Sequence, residues 1–478
     1  MSKGKMAVLI VCALLAVSIS AASAQSEGQT STSIIVQNLS TSLANIVVVF
    51  YPTTGAPESG SSGVEDLAGE SSTTFDQRYS SGDPGQDPFR GSAVLYSDQP
   101  VASVVQEMRS GGSAGVNSYE TYNGPGVSET VIAPLILRGI SSAGKVWNTF
   151  VVIQNTSDSS TDVTVTFAPT IKGNADTVNL TIPGYGSEYL MQKDQTALGA
   201  EFFGSALVES TTAGHELGVV VNSANTDGSA LIAYPTFTVG STEVSLPGAM
   251  KNVASMGDNY FTSLTIVNMG GSGDPDPTVQ IEYQPKTGTV TGPYTVTVST
   301  ATTIDQRYDT YITSDSFFGA VVLTSTNSTP IAAILNTRGD APGGAAKFAS
   351  TYSGFASGVQ TAYVPYLLKY INSAGYSWST SILLQNLDPA SGDLEVDVLY
   401  REDPSKGTNT YTSHQTIATF DWVDLRYDTN LAQATFYGGA KIVSTNGRPF
   451  GAVVLVRGSG FTGDALSSYL GIAPPSSP

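Results

Sequence analysis

The chain has 478 residues with 21 basic and 40 acidic side chains, a net charge of −19 at neutral pH; so acidic a polypeptide repels phosphate backbones and anionic headgroups, which argues against binding nucleic acid or a membrane surface. Its one cysteine, Cys12, lies in an N-terminal apolar run, so disulfides do not staple the remainder and stability must come from buried cores. Length suggests three or four domains, at roughly 100 to 200 residues each.

The first segment in chain order is a leader. Lys3 and Lys5 precede "MAVLIVCALLAVSI", and Ala22-Ser23-Ala24 places small residues where a signal peptidase reads, so residues 1–24 read as a secretory signal peptide. The residue pattern before Cys12 lacks the small residue of a lipid-attachment signal, and no later apolar run approaches the ~20 residues of a membrane helix. The expectation is a secreted or cell-surface chain starting near Gln25, with no membrane insertion after cleavage. Losing Lys3 and Lys5 makes it two units more negative.

Four similar units follow, at 25–125, 126–240, 241–356 and 357–478. Each contains a strand-like segment ending in asparagine: "SIIVQN" to Asn38, "FVVIQN" to Asn155, "SLTIVN" to Asn268 and "SILLQN" to Asn386, at intervals of 117, 113 and 118 residues. Each then has a glycine beside aromatic and apolar residues, at Gly91, Gly204, Gly319 and Gly438, and closes on a tyrosine, at Tyr122, Tyr234, Tyr352 or Tyr469. Between these landmarks run period-two strands such as "DVTVTFA" and "LEVDVLY", and hairpin signals such as "STNGRP". The predicted fold is all-β: four tandem antiparallel β-sandwich domains, Ig-like or jelly-roll-like, behaving as modules in a row joined by Gly-rich linkers near Gly126, Gly240 and Gly358. The recurrent asparagine has Ser, Thr, Gly or Asp within two residues after it, as expected where its side chain bonds its own turn.

One charged element recurs in this charge-poor chain. "FDQRY" (Phe75 to Tyr79) returns as "IDQRY" (Ile304 to Tyr308) and "VDLRY" (Val423 to Tyr427). In the second unit, aligned on Gly204, the stretch "EYLMQKD" puts Tyr189 or Leu190 near the aspartate position with no arginine two residues on. Residues two apart in a strand share a face, so Asp76 and Arg78 would lie side by side. A strand-end ion pair or turn anchor is favoured over an acid–base or ligand site, because the motif carries no second carboxylate, metal cluster or nucleophile. No catalytic, cofactor-binding or metal-ligating residue is assigned.

The remaining candidates are weaker. "GGSAG" (Gly111 to Gly115) matches a hydrolase elbow in spelling but is followed by a strand-like segment instead of a helix. His215 and His414 occupy different places in their units and read as surface or loop residues. Asp83 with Asp87, and Asp274 with Asp276, offer hard oxygen ligands for calcium but complete no loop motif. No cofactor is expected. Trp147, Tyr260 and Trp378 each lie eight residues before their asparagine, a recurrent aromatic position that suits a core better than a glycan platform.

Units two to four also share a proline 21 residues before the asparagine (Pro134, Pro247, Pro365) and a basic residue four later (Arg138, Lys251, Lys369). Counting back from Asn38 lands on Val17 inside the leader, so unit one is expected to lack its first strand. Two remedies suggest themselves: local cover by Gln25 to Thr32, or a strand added from another chain. The C-terminal "GIAPPSSP" starts like "VIAPLIL" around Pro134 but lacks the apolar stretch, which makes it a poor donor.

The assembled pattern, most clearly "YVPYLLKYINSAGYSWSTSILLQN" and "GDALSSYLG", resembles tandem repeats in predicted extracellular proteins of Chloroflexi-type bacteria. The resemblance implies a secreted or surface-displayed structural or adhesive protein and carries over no catalytic residues. The sequence therefore points to a non-enzymatic extracellular-matrix or cell-surface protein, with self-association or other surface proteins as partners. The alternative is a sandwich protein gripping an extracellular polysaccharide; an extracellular hydrolase ranks behind both.

Overall fold

The computed structural model describes residues 10–14, 29–55, 62–76, 89–110, 117–142, 144–226, 228–255, 258–340, 346–373, 376–459 and 463–474. Its elements are β-strands, paired antiparallel but for one short parallel pair, and three short 3-10 turns, as the period-two pattern of Val, Ile, Tyr and Thr demands. Among the described residues eight sheets form, two for each sequence unit, with Gly463–Asp464 of unit four added in parallel to a sheet of unit one.

The same plan repeats. One sheet holds an opening strand (Ile10–Leu14, Thr130–Arg138, Glu243–Lys251 or Thr361–Lys369), then the strand bearing the recurrent glycine, then two further strands. The other pairs the asparagine strand (Gln29–Asn38, Lys145–Asn155, Asp258–Asn268, Tyr376–Asn386) with a corner strand on one side and a return strand on the other. Beyond the return strand comes a closing strand (Asn117–Asn123, Leu231–Pro235, Ala346–Ser353, Leu466–Leu470). The recurrent glycines are needed for space: a Cβ at Gly91, Gly204, Gly319 or Gly438 would overlap the carbonyl of Tyr51, Ala168, Gln284 or Arg401.

The recurrent proline marks a bulge. Strand register breaks between Ala133 and Ile136, Pro247 and Ala249, and Val364 and Leu367, where a residue without an N–H does least damage to the ladder. The closing tyrosine secures that bulge. Tyr234 Oη donates to the Leu135 carbonyl at 2.7 Å and accepts from its amide at 3.2 Å. Tyr469 treats Tyr366 likewise, and Tyr352 Oη donates to the Pro247 carbonyl.

Unit one departs from expectation, because its opening strand is present: Ile10–Leu14, within the N-terminal apolar run, pairs antiparallel with Gly91–Leu95. Gln29–Thr32, named above as local cover, instead extends the asparagine strand and pairs with Glu107–Ser110.

The units also do not stand as a simple row. The closing strand of each unit lies against the closing strands of the units before and after it, and that of unit four returns to that of unit one. Each opening strand lies on the asparagine and return strands of the next unit, unit four on unit one included. The four sandwiches close into a ring. The physical reason is in the asparagine strands of units one, two and four, which are apolar on both faces and so must be covered twice. Ile34 and Val36 face unit one's own core, while Ile35 joins unit four's. Ile382 and Leu384 stay in unit four, while Leu383 joins unit three's core. Phe150 and Val152 leave unit two for the core of unit one.

Buried carboxyl groups lie where the closing strands meet. Glu120 Oε1 accepts from the Ser468 amide at 3.4 Å and Ser350 Oγ at 3.5 Å. Asp464 accepts from the amides of Leu231 (3.3 Å), Ala349 (3.1 Å) and Leu466 (3.3 Å), while its backbone pairs with Ser118. Both carry pKa values well above the usual carboxylate range, chiefly through burial, and for Glu120 also through the charge of Asp464. Burial pushes Glu107, cross-strand from Glu120, up to about 7 against the opposing pull of Arg109.

An acid whose pKa is higher folded than unfolded favours the fold while protonated, so its contribution is complete below the ordinary carboxylate range and is lost as pH rises through the raised value. The ring should therefore melt at a higher temperature at pH 5 than at pH 8. Glu120→Gln should shrink that difference. Calorimetry at the two pH values checks this, and a melting temperature that rises toward pH 8 would contradict it.

Candidate functional site

The repeated Asp-x-Arg element is a strand-to-turn corner. The corner strands Ala301–Asp305 and Phe420–Asp424 end on the aspartate, and the next residues turn so that the arginine folds back. In unit four, Asp424 Oδ1 accepts from the Arg426 amide (3.0 Å) and Nε (2.9 Å), and Oδ2 from Nη2 (2.5 Å). In unit three, Asp305 holds Arg307 by the same three groups at 3.0, 3.0 and 2.6 Å. Acid and base do lie side by side, as expected, but by turn geometry rather than as neighbours along a strand. Asp76 ends its corner strand equivalently; Arg78 falls outside the described residues.

Strand pairing corrects the alignment of unit two. Phe150 pairs with Met191 as Ser263 pairs with Asp305 and Ser381 with Asp424. Met191-Gln192-Lys193 therefore occupies the place of Asp-Gln-Arg, and Gln192 is fully buried like Gln306. The basic position persists as lysine while the acid is lost.

The sequence reading passed over a further aspartate four residues on. Asp309 Oδ2 accepts from Tyr283 Oη and Tyr294 Oη, each at 2.6 Å, and Asp428 Oδ2 accepts from Tyr400 Oη at 2.9 Å. Its signal was the longer match "RYDT" shared by units three and four. These are anchors between the corner and the opposite sheet. The recurrent asparagines are anchors too: Asn386 Nδ2 donates to the Gly392 and Ala418 carbonyls at 2.9 and 2.8 Å, while Oδ1 accepts from the Asp388 amide at 3.0 Å.

Unit four's corner opens onto a groove of about 480 Å³ at the junction with unit three. Trp422 and Tyr370, 40% and 42% exposed, line it with Phe318, Asp424, Arg426 and Arg457. Phe318 packs edge-on against Trp422 at 5.1 Å, and Arg457 Nη2 bonds Asp258 of unit three at 2.9 Å. Ser255, Ser377 and Ser381 line the same space.

Tyr370 is held in an unusual way. Its φ is +49°, in the left-handed region, where the equivalent residues after Arg138 and Lys251 are Gly139 (+62°) and Asn252 (+49°). Glycine and asparagine tolerate that conformation, whereas a tyrosine there is strained by about 1–3 kcal/mol. Sequence reasoning missed both Tyr370 and Trp422, because it searched for aromatics that recur. The recurrent ones, Trp147, Tyr260 and Trp378, are 4–5% exposed and belong to cores; Trp378 packs at a tilt of 45° against Tyr119 of unit one, ring centroids 4.5 Å apart.

His414 stands on a strand, between Asp397 Oδ1 and Glu395 Oε2 at 2.8 Å each, and hydrogen bonds to these two carboxylates raise its pKa. Asp274 Oδ2 accepts from the Gly271 amide at 2.8 Å. Among the described residues no group of three His, Cys, Asp or Glu is placed to hold a metal, and no helix is long and apolar enough to cross a membrane. Asp83, Asp87 and "GGSAG" fall outside the described residues.

No protein-family model matches the chain, and no curated protein does. Among solved structures, a glycoside hydrolase family 32 protein from Bifidobacterium adolescentis aligns over 97% of this chain and 95% of its own at 8% identity with a TM-score of 0.14, a likeness too slight to carry an argument.

Removing Asp305 leaves Arg307 unpaired at a site where both side chains are about a quarter exposed. Solvent screening keeps such a pair near 1 kcal/mol. Asp305→Ala should lower the stability of the chain by about that amount in denaturant titration; a loss above about 3 kcal/mol would mark the pair as a buried one.

Proposed function

We propose that this chain is an exported, non-catalytic adhesive protein whose ring of sandwiches grips an extracellular saccharide in the groove between units three and four. The observation that carries this reading is that two half-exposed aromatic rings, Tyr370 and Trp422, line the same groove as the Asp424–Arg426 fork. Aromatic faces stack on the apolar faces of sugar rings, while planar carboxylate and guanidinium groups bond their hydroxyls. The two arginines of the lining are each paired with a carboxylate, Arg426 with Asp424 and Arg457 with Asp258, which favours a neutral polyhydroxylated ligand over an ion. The strain at Tyr370 fits a residue kept for its ring and not for the turn.

The corner carboxylates support a binding role over a hydrolytic one, since Asp305 and Asp424 are each engaged by their own arginine. The Ser-, Thr- and Gly-rich acidic surface suits a displayed, soluble module.

Binding should appear on an array of extracellular polysaccharide fragments and weaken at least tenfold in Trp422→Ala. Tyr370→Asn, which installs the residue that unit three uses, should weaken binding while leaving the melting temperature unchanged or higher. If neither variant alters the affinity of a saccharide that the parent binds, the groove is not the site. Ordered self-assembly without saccharide binding would favour a purely structural role.

A further inference from the structure

The opening strand of unit one is made from residues that the export reading removes. In units two to four the strand is bulged at its proline and ends on a basic side chain seated on a carbonyl, as Lys251 Nζ is on Ile312 at 2.8 Å and Lys369 Nζ on Leu431 at 2.6 Å. Ile10–Leu14 holds the same place with an unbroken register from Leu95 to Gly91 and no bulge. It also lies on the asparagine and return strands of unit two, the sheet from which Phe150, Val152 and Val220 join unit one's core at 5%, 1% and 0% exposure. Cleavage after Ala24 would leave the edge of Gly91–Ser97 without its partner and part of that apolar face uncovered.

Among the described residues, the chain's own remedies named above are spent. Gln29–Thr32 is committed to the return strand. Near the C-terminus, Ile472 already bridges Tyr363 by two backbone hydrogen bonds of 2.8 Å. An unpaired edge beside an apolar face is what strand addition requires.

We infer that in the exported protein the edge of Gly91–Ser97 is completed by an apolar β-strand from a partner polypeptide, running antiparallel to it and closing the junction between units one and two. The donor resembles "TVIAPLILR" (Thr130–Arg138) in chemistry: about nine extended residues, apolar on both faces, with a central proline and a terminal basic residue. This rests on the export reading but not on the saccharide groove.

Protein recovered from the medium or cell surface is first weighed intact; a mass starting near Gln25 is expected. Hydrogen exchange at Gly91–Leu95 is then followed with a synthetic TVIAPLILR peptide or a scrambled one. The matched peptide should slow exchange at the edge-facing amides at least tenfold and raise the melting temperature, and the scrambled peptide should do neither. A variant with the sequence of residues 131–144 fused ahead of Ser31 should melt higher and ignore the peptide. An intact mass that includes residues 10–14 overturns the export reading and the inference together. A cleaved protein that runs as a partner-free monomer and whose edge amides are already protected, or that does not respond to the matched peptide, overturns the inference and leaves export standing.

Discussion

Asp464 is where the four units meet. Its backbone pairs with unit one, and its carboxyl group accepts amides from units two, three and four. A carboxyl with no solvent access is costly unless its lone pairs are filled, and here they are filled by three strands that come together only when the ring is closed. The interaction therefore rewards closure and penalises any open arrangement. The small side chains of the closing strands allow the approach: Thr121 Oγ1 reaches Ser467 Oγ at 3.0 Å, and Ser350 Oγ reaches Ser468 Oγ at 2.5 Å.

Around that centre the repeats have specialised. The junction of units four and one is rich in polar bonds, with Tyr363 Oη on the Leu39 carbonyl, Arg401 on Gly69, Lys441 on Glu70 and Asn123 exchanging two bonds with Leu470. The junction of units two and three uses Arg338 Nη1 on Ser142 Oγ at 2.8 Å. That of units three and four is braced by Arg457 with Asp258 and Lys286 with Asp421, and opens outward into the groove. The junction of units one and two carries Tyr189 Oη donating to the Gly91 carbonyl at 2.8 Å and Arg90 over the Tyr189 ring, beside the opening strand Ile10–Leu14. The four junctions of the ring are thus closed by different side chains.

Much of the fold was legible because it is local. The asparagine turns, the recurrent glycines and the proline positions all report short-range geometry that repeats with the chain, and the sandwich plan follows from them. The ring was written less openly. Its contacts join residues more than a hundred positions apart, as with Asn123 and Leu470, and no spacing rule reveals such pairs. One signal was available: "SIIV", "FVVI" and "SILL" are apolar at successive positions where a sheet with one wet face would alternate.

The site was hidden for the opposite reason. Repeat analysis finds what recurs, and the groove is built from departures: Tyr370 where the other units have Gly139 and Asn252, and Trp422 where Thr303 and Tyr189 stand on equivalent strands. In unit two, alignment on Gly204 misplaced the corner, because that unit's path from corner to glycine runs through two short 3-10 turns. Strand pairing restores Lys193 to the arginine position.

Ring closure is the central claim, and small-angle X-ray scattering of the monomeric chain tests it most directly. A closed ring of this length should give a radius of gyration of about 25 Å, close to that of one compact domain of the same size. A value of about 40 Å, expected of four such sandwiches strung end to end, would contradict it.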